Sequence, residues 1–127
     1  SPTLRNALLA ALKPSTYAPG NYLVREGEAG RSIVFITRGE VEIIAGEKQT
    51  AHGAMGPGDY FGYLSLALQE RRSGSVRACD YCEALVLDQD SYEALSAEYP
   101  EFLQVLKTVA AERSERASEL LLEGVVL

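Results

Sequence analysis

The sequence has no tryptophan, one histidine, one methionine and two cysteines among its 127 residues. A tetrahedral zinc site needs about four ligands, so this supply argues against one. Cys79 and Cys82 have Cys-x-x-Cys spacing, but a redox pair of that spacing normally lies in a βαβ context, and we interpret them as two thiols at a turn between strands. His52 falls in a glycine-bearing loop segment and is predicted to lie at the surface. Without a nucleophile or carboxylate constellation, the sequence predicts no catalytic residue, no enzyme activity and no metal site.

Basic residues are also in short supply, because 12 Lys and Arg stand against 18 Asp and Glu and give a formal net charge of −6. This balance argues against a nucleic-acid surface, which needs positive charge to displace counterions. The chain has no apolar run of about 18 residues and no N-terminal signal pattern, so no segment is expected to insert into a membrane. We therefore expect a cytosolic domain that forms part of a longer protein.

The spacing of apolar residues and turns predicts one domain over residues 1–127, made mainly of β-strands. A leading helix is expected over residues 1–13, because its apolar residues fall on one helical face: Leu4, Ala7, Leu8, Ala11 and Leu12. Short apolar stretches separated by glycine and proline turns indicate antiparallel strands over residues 15–89. The predicted class is α+β, mainly β: an antiparallel, jelly-roll-like β-roll with flanking helices.

The C-terminal third of the sequence is predicted to be helical. Asp90 is expected to cap a helix that ends before Pro100, and a long helix follows over residues 101–123. Arg113 and Arg116 fall on its apolar stripe, and such a local inconsistency is typical of a functional site. Alternatively, the stripe ends earlier and the remainder is a solvated helix with charge pairs four residues apart.

Residues 61–78 have the features of an anion site. A glycine turn at Gly62 opens a short apolar helical segment, and Arg71 and Arg72 follow it. A helix N-terminus offers unpaired N–H groups, and a guanidinium binds two phosphate oxygens at once. With Arg77, these arginines form a local basic cluster in an acidic protein. The pattern predicts a site for a small phosphate diester.

This segment resembles the phosphate-binding cassette of cyclic-nucleotide-binding domains, whose pattern runs Phe-Gly-Glu, a small residue and Leu, then Arg and Ser, Thr or Ala. Gly62 and Arg72 match the pattern, whereas Tyr63 stands at the glutamate position. Glu26–Gly30 resembles the acidic-glycine hairpin of the family. Over residues 4–120 the order of motifs is similar to that of cyclic-nucleotide-gated and hyperpolarisation-activated cation channels.

The resemblance implies that Arg72 binds the cyclic phosphate, assisted by the Ser73 hydroxyl and the backbone N–H groups of residues 62–65. Ser73 stands where the family often has threonine, whose hydroxyl serves a guanine amine, so both cAMP and cGMP are expected ligands. Tyr63 replaces the glutamate that binds the ribose 2′-hydroxyl. Losing one charge-assisted hydrogen bond costs ~1.5–3 kcal/mol, or about ten- to a hundredfold in affinity.

The resemblance further implies that Ile43 and Met55 line the purine pocket, and that a C-terminal helical lid over residues 90–123 carries Arg113 to the purine edge. The module would regulate a larger, oligomeric membrane channel or transporter from the cytosolic side, with no cofactor besides the cyclic nucleotide. The implied ligand-binding residues are Gly62, Tyr63, Leu64, Ser65, Arg72, Ser73, Ile43, Met55 and Arg113.

The alternative is a degenerate domain that binds nucleotide poorly because of Tyr63 and acts as a structural or interaction domain. Its pocket would be empty, self-occupied or bound to another small molecule. Residues 124–127 do not resemble the internal ligand of the ether-à-go-go channel branch, so the sequence gives no support to self-occupation. A transcription factor of the catabolite-activator type requires a helix-turn-helix after the lid helix, which this sequence does not contain. A kinase regulatory subunit is a second possible nucleotide-binding parent.

Overall fold

The computed structural model describes residues 2–102, 104, 105 and 127. These residues form eight strands and three helices, and beyond the third helix residues 101, 102, 104 and 105 are also helical. Among them no helix is long and apolar enough to cross a bilayer. The elements are α1 (Pro2–Ala11), β1 (Lys13–Tyr17), β2 (Tyr22–Val24), β3 (Ser32–Arg38), β4 (Val41–Ala45), β5 (Thr50–Met55), β6 (Tyr60–Phe61), α2 (Tyr63–Leu68), β7 (Gly74–Ala78), β8 (Cys82–Asp88) and α3 (Gln89–Glu98).

The strands form two four-stranded sheets, in the orders β1-β8-β3-β6 and β2-β7-β4-β5. Every strand pair within them is antiparallel. Neighbouring strands in space are mostly distant in sequence, as in a jelly roll. The predicted class, a mainly antiparallel β structure with flanking helices, is confirmed.

The two sheets enclose the first hydrophobic core between them. Strands β2, β4, β5 and β7 contribute from one sheet, and β3, β6 and β8 from the other. Alternate side chains of a strand point to opposite faces, so each strand contributes every second residue. The buried members are Val24, Val34, Ile36, Val41, Ile43, Ala45, Met55, Phe61, Val76, Ala78, Cys82, Ala84 and Leu127.

A second core lies on the outer face of β3 and β8, beneath the helices. Ile33 and Phe35 of β3 belong to it, whereas Val34 and Ile36 face the first core. Burial on both faces explains why residues 33–36 are continuously apolar rather than alternating. The helices contribute buried Leu4, Leu66, Leu95 and Phe102 to this second core.

Two boundaries differ from the sequence prediction. Pro14 was predicted to end the leading helix. In the structure α1 ends at Ala11, and Pro14 lies within β1. A proline is tolerated there because β1 is an edge strand with one unpaired side.

The second difference is that residues 50–55 form β5 rather than a loop. His52 is therefore a half-buried strand residue, and its Nε2 lies 3.3 Å from the Ala45 carbonyl oxygen. The strand escaped prediction because a register shift between Gly53 and Ala51, with His52 as the extra residue, breaks its alternation.

The predicted turn between strands at the cysteines lies between β7 and β8. Cys79 is exposed, Cys82 is buried, and both are free thiols. The Cys82 thiol lies 3.3 Å from the Glu40 carbonyl oxygen, and burial raises its pKa. A thiol with a raised pKa is poorly reactive, which is consistent with a structural role.

The sequence predicted Asp90 as the cap of helix α3. In the structure the cap is Asp88. Asp88 Oδ1 accepts a hydrogen bond from the backbone N–H of Ser91 (2.8 Å), and its Oδ2 accepts one from Lys13 Nζ (3.0 Å). The Ser91 bond, followed by the Lys13 bond, lowers the pKa of Asp88 to about 2. Asp90 lies in the first turn, where its charge favours the helix dipole without capping it.

We expect Asp88→Ala to lower Tm by about 2–6 °C at pH 7, because N-cap loss destabilises a domain of this size by that order. The matched Asp90→Ala change should lower Tm less. Because the folded-state pKa of Asp88 is depressed, its stabilising contribution is present above pH 4 and disappears as pH falls toward 2. Thermal melts of both variants from pH 7 to pH 2 test this, and equal melts of Asp88→Ala and Asp90→Ala at pH 7 would contradict it.

Candidate functional site

The predicted anion segment folds as a strand, a tight turn, a short helix and a second strand. Gly62 links β6 to α2 with φ 101°, and Gln69 ends α2 with φ 55°. An added Cβ at Gly62 would lie 2.3 Å from the Ser32 carbonyl oxygen and 3.3 Å from Arg72 Nη1. The glycine is therefore required both by its left-handed backbone and by the space that surrounds it.

The guanidinium of Arg72 lies beneath this turn, and the residue is only 3% exposed. Its Nη1 donates to Ser65 Oγ (3.4 Å), and its Nη2 donates to the carbonyl oxygen and to Oγ of Ser32 (3.2 Å each). Burial lowers the pKa of Arg72, and the charge of Glu28 opposes that shift. A desolvated guanidinium that donates to neutral oxygens gains from an incoming anion.

Ser65 joins the turn to the arginine. It is completely buried, donates from its hydroxyl to the Gly62 carbonyl oxygen (3.2 Å) and accepts from Arg72. A Cβ added at Gly30 would lie 2.1 Å from Ser65 Oγ. Gly30 is therefore needed for the close approach of its loop to α2.

The Glu26–Gly30 hairpin holds the end of the cassette through its backbone. The N–H of Gly27 donates to the Arg72 carbonyl oxygen (2.7 Å), and the N–H of Arg72 donates to the Glu28 carbonyl oxygen (2.9 Å). The N–H of Glu26 donates to Ser75 Oγ (2.8 Å). These bonds fix the main chain on either side of the buried guanidinium.

The structure separates the three arginines that the sequence grouped as one basic cluster. Arg77 Nε donates to Glu42 Oε1 (2.9 Å), so its charge is paired. Arg71 is exposed, and its Nη1 donates to the Gly27 carbonyl oxygen (2.8 Å). Arg72 is the member of the group that is buried beneath the turn.

Tyr63 occupies the first position of α2 and packs toward the helices. Its ring lies 6.4 Å from that of Tyr92, at 68°, and Tyr92 lies 6.0 Å from Phe102, at 62°. Edge contacts of this kind stabilise beyond the buried area alone. Burial raises the pKa of Tyr92, and the neighbouring Tyr63 raises it further. The ring of Tyr63 thus connects α2 to the second core.

Ile43 and Met55, the predicted purine contacts, are both buried in the first core. Leu127 belongs to the same core, and its main-chain oxygen accepts a hydrogen bond from the Ser65 backbone N–H (3.4 Å). Leu64 and Ser73, both within the cassette, are half-buried. Arg113 lies outside the described residues.

The sequence pattern of the cyclic nucleotide-binding domain matches residues 14–99 of this chain. The chain belongs to the cyclic nucleotide-binding domain family. The domain is 35% identical over 115 residues to potassium/sodium hyperpolarization-activated cyclic nucleotide-gated channel 2 of Mus musculus. It is 34% identical over 116 residues to potassium/sodium hyperpolarization-activated cyclic nucleotide-gated channel 4 of Oryctolagus cuniculus.

Both comparisons cover 91% of this chain, but the chain spans only 13% and 10% of the length of these two relatives. Among solved structures, the catabolite activator protein of Thermus thermophilus superposes with a TM-score of 0.77 at 25% identity. That superposition covers 97% of this chain and 59% of the other. The two-sheet roll with its helices is therefore a fold shared with that protein.

Two residues of the site were missed by sequence reasoning. Ser32 accepts both Nη2 bonds of Arg72 across 40 positions of sequence, so no local pattern connects the two. Leu127 shares a core with Ile43 and Met55, although the apolar tail of the sequence gave no indication of it. Both contacts depend on tertiary placement rather than on spacing.

We expect Gly62→Ala to destabilise the domain by about 1–3 kcal/mol more than Gly20→Ala. Both glycines have positive φ, but a Cβ at Gly20 meets nothing within 4 Å, whereas one at Gly62 collides with the Ser32 carbonyl. The backbone cost of about 1–2 kcal/mol is common to both variants, so their difference isolates the steric term. Urea unfolding of the two variants measures it, and equal midpoints would show that the turn accommodates a Cβ.

Proposed function

We propose that this domain binds a cyclic nucleotide, cAMP or cGMP, through the cassette at residues 61–78. The observation that carries the proposal is the buried guanidinium of Arg72, which lies under a glycine turn and donates to neutral oxygens. A cyclic phosphate would replace weak neutral acceptors with a charged one. Gly62, Leu64, Ser65 and Ser73 would complete the phosphate half of the site.

The base half of the proposed site consists of Ile43 and Met55, with Arg113 at the purine edge. Burial of both apolar side chains in the core between the sheets supports a pocket of that character. The regulatory step we propose is closure of the C-terminal helix on the bound base. Ligand binding biases such a change only by binding one state more tightly than the other.

We further propose that the domain regulates a larger membrane channel or transporter and lies on its cytosolic side. Support comes from the relatives that match over 91% of the chain, which are named as cyclic nucleotide-gated channels. The catabolite activator protein shares the fold at 25% identity, below the 34–35% of the channels. A channel parent, assembled as an oligomer, is therefore the proposal that the similarity favours.

Calorimetric titration with cAMP and with cGMP tests binding at the cassette. We expect Arg72→Ala to weaken binding by at least about a hundredfold, because it removes two charge-assisted bonds of ~1.5–3 kcal/mol each. Arg72→Lys keeps the charge but loses the planar fork, so an intermediate loss is expected. Thermal melts establish that each variant is folded.

Arg71→Ala is the matched control, since it removes the neighbouring arginine, which is exposed and faces the hairpin. Its affinity should remain within about threefold of the unsubstituted chain. Equal affinities of the Arg72→Ala and Arg71→Ala variants would contradict a phosphate site at Arg72. No heat from either nucleotide at millimolar concentration would contradict binding by the unsubstituted chain.

A second candidate is a degenerate domain with a structural or interaction role. The packing of Tyr63 against Tyr92 favours it, because the side chain at the glutamate position is engaged with the second core. In that case the ribose 2′-hydroxyl would lack its charged acceptor. The phosphate half of the site would be unaffected.

Tyr63→Glu separates the two candidates when compared with Tyr63→Gln. Both changes remove the aromatic contact with Tyr92, but only glutamate restores a charged acceptor. We expect Tyr63→Glu to bind about ten- to a hundredfold more tightly than Tyr63→Gln. Nucleotide binding by Tyr63→Glu, where the unsubstituted chain shows none, would identify a degenerate module. Equal affinities of the two variants would show that residue 63 does not reach the ribose.

A further inference from the structure

Ser32 supplies two of the oxygens that surround the Arg72 guanidinium. Arg72 Nη2 donates to the carbonyl oxygen and to the hydroxyl oxygen of Ser32, and both distances are 3.2 Å. A terminal guanidinium nitrogen carries two N–H protons. Ser32 alone therefore offers an acceptor for each proton of Nη2.

A clamp on two phosphate oxygens needs this same nitrogen. A guanidinium binds an anion in a bidentate way through two parallel N–H bonds. Two of its edges can do so: one combines Nε with Nη2, and the other combines Nη1 with Nη2. Whichever edge a cyclic phosphate takes, one of the two Ser32 oxygens must release its proton of Nη2.

The two oxygens of Ser32 differ in their freedom to move. The carbonyl oxygen belongs to the backbone of β3, where Ser32 pairs with Asp88 of β8 and the N–H of Gln89 donates to the neighbouring Arg31 carbonyl oxygen (2.8 Å). The hydroxyl oxygen is on a half-buried side chain and moves by rotation about a single bond, χ1. The hydroxyl is therefore the acceptor that can leave Nη2.

We propose that the Ser32 hydroxyl holds the place of a phosphate oxygen at Arg72, and that its release sets the affinity of the site for cyclic nucleotides. This inference rests on the proposed function, because it assigns a further residue to the phosphate half of that site. Ser32 acts through Arg72 and is a positioning residue. Its bond to Nη2 stabilises the folded domain, and the incoming phosphate has to offset the loss of that bond.

The competing explanation is that Ser32 only supports the guanidinium. In that case both of its bonds persist beside a bound phosphate, and loss of the hydroxyl leaves Arg72 less well oriented. Ser32→Ala would then bind nucleotide equally well or more weakly. A hydroxyl that has to be released predicts the opposite sign. Both explanations predict lower stability, because a buried guanidinium loses one acceptor.

The experiment compares Ser32→Ala with a conservative variant and with a matched serine. Ser32→Thr keeps a hydroxyl beside Nη2. Ser75→Ala removes a buried hydroxyl whose oxygen accepts from the Glu26 N–H (2.8 Å) rather than from Arg72. Calorimetric titration of the full chain with cAMP and with cGMP gives the affinities, and thermal melts give the stabilities.

We expect Ser32→Ala to bind both nucleotides about three- to tenfold more tightly than the unsubstituted chain, although its Tm is lower. This is the size expected when one hydrogen bond no longer has to be broken. The affinities of Ser32→Thr and Ser75→Ala should stay within about twofold of the unsubstituted chain.

The sign and the pattern of the change separate failure of the inference from failure of the proposed function. Unchanged or weaker binding by Ser32→Ala, with binding by the unsubstituted chain, would overturn the release of the hydroxyl and leave the proposed function standing. Tightening for only one nucleotide would also overturn it, because both ligands contain the same cyclic phosphate. No heat from either nucleotide with any variant would end the inference and the proposed function together.

A crystal structure of the cAMP complex follows the hydroxyl directly and needs no substitution. We expect Ser32 Oγ to lie beyond hydrogen-bond distance of Arg72 Nη2, with the Ser32 carbonyl oxygen still within it. A phosphate on Arg72 with both Ser32 bonds retained would overturn the inference and support the proposed function.

Discussion

The burial of one positive charge, the guanidinium of Arg72, constrains the structure around it. Removing a charged group from water costs several kcal/mol unless hydrogen bonds replace the lost solvent. Here the replacement consists of three oxygens, two from Ser32 at the start of β3 and one from Ser65 in α2. The oxygens are uncharged, so the guanidinium is solvated but its charge is not neutralised by them. An anion bound there would add a charged acceptor to these neutral ones.

The two-core architecture connects this charge to the rest of the molecule. Helix α2 follows Gly62, and its residue Leu66 belongs to the core beneath the helices. Tyr63 continues the connection through Tyr92 to Phe102 by two edge-to-face contacts. Packed interiors do not deform continuously, so a displacement of α2 must be accommodated by rearrangement of these rings. The segment proposed to bind the anion is in this way packed, through α2, against the helical residues that follow α3.

The sequence predicted those parts of the fold in which one pattern dominates. Alternation in β4 and the unbroken apolar run of β3 gave correct strands, and the residues of the cassette gave the turn at Gly62 and the helix after it. Prediction failed where a tertiary contact overrides the local pattern. The register shift between Gly53 and Ala51 concealed β5. Asp88, which caps α3, also accepts a hydrogen bond from Lys13, 75 positions away, a contact that no local pattern indicates. Burial of Arg72 could be guessed from the family pattern, but its partner Ser32 could not.

Charge distinguishes the phosphate from the other parts of the proposed ligand. A purine and its ribose would offer apolar and neutral contacts, and Tyr63, which stands where the family pattern has a glutamate, packs against Tyr92 instead. The cyclic phosphate would bring a negative charge to a guanidinium whose hydrogen bonds here run to neutral oxygens of Ser32 and Ser65. Charge-assisted hydrogen bonds are about twice as strong as neutral ones. Affinity at the proposed site would therefore arise mainly at Arg72.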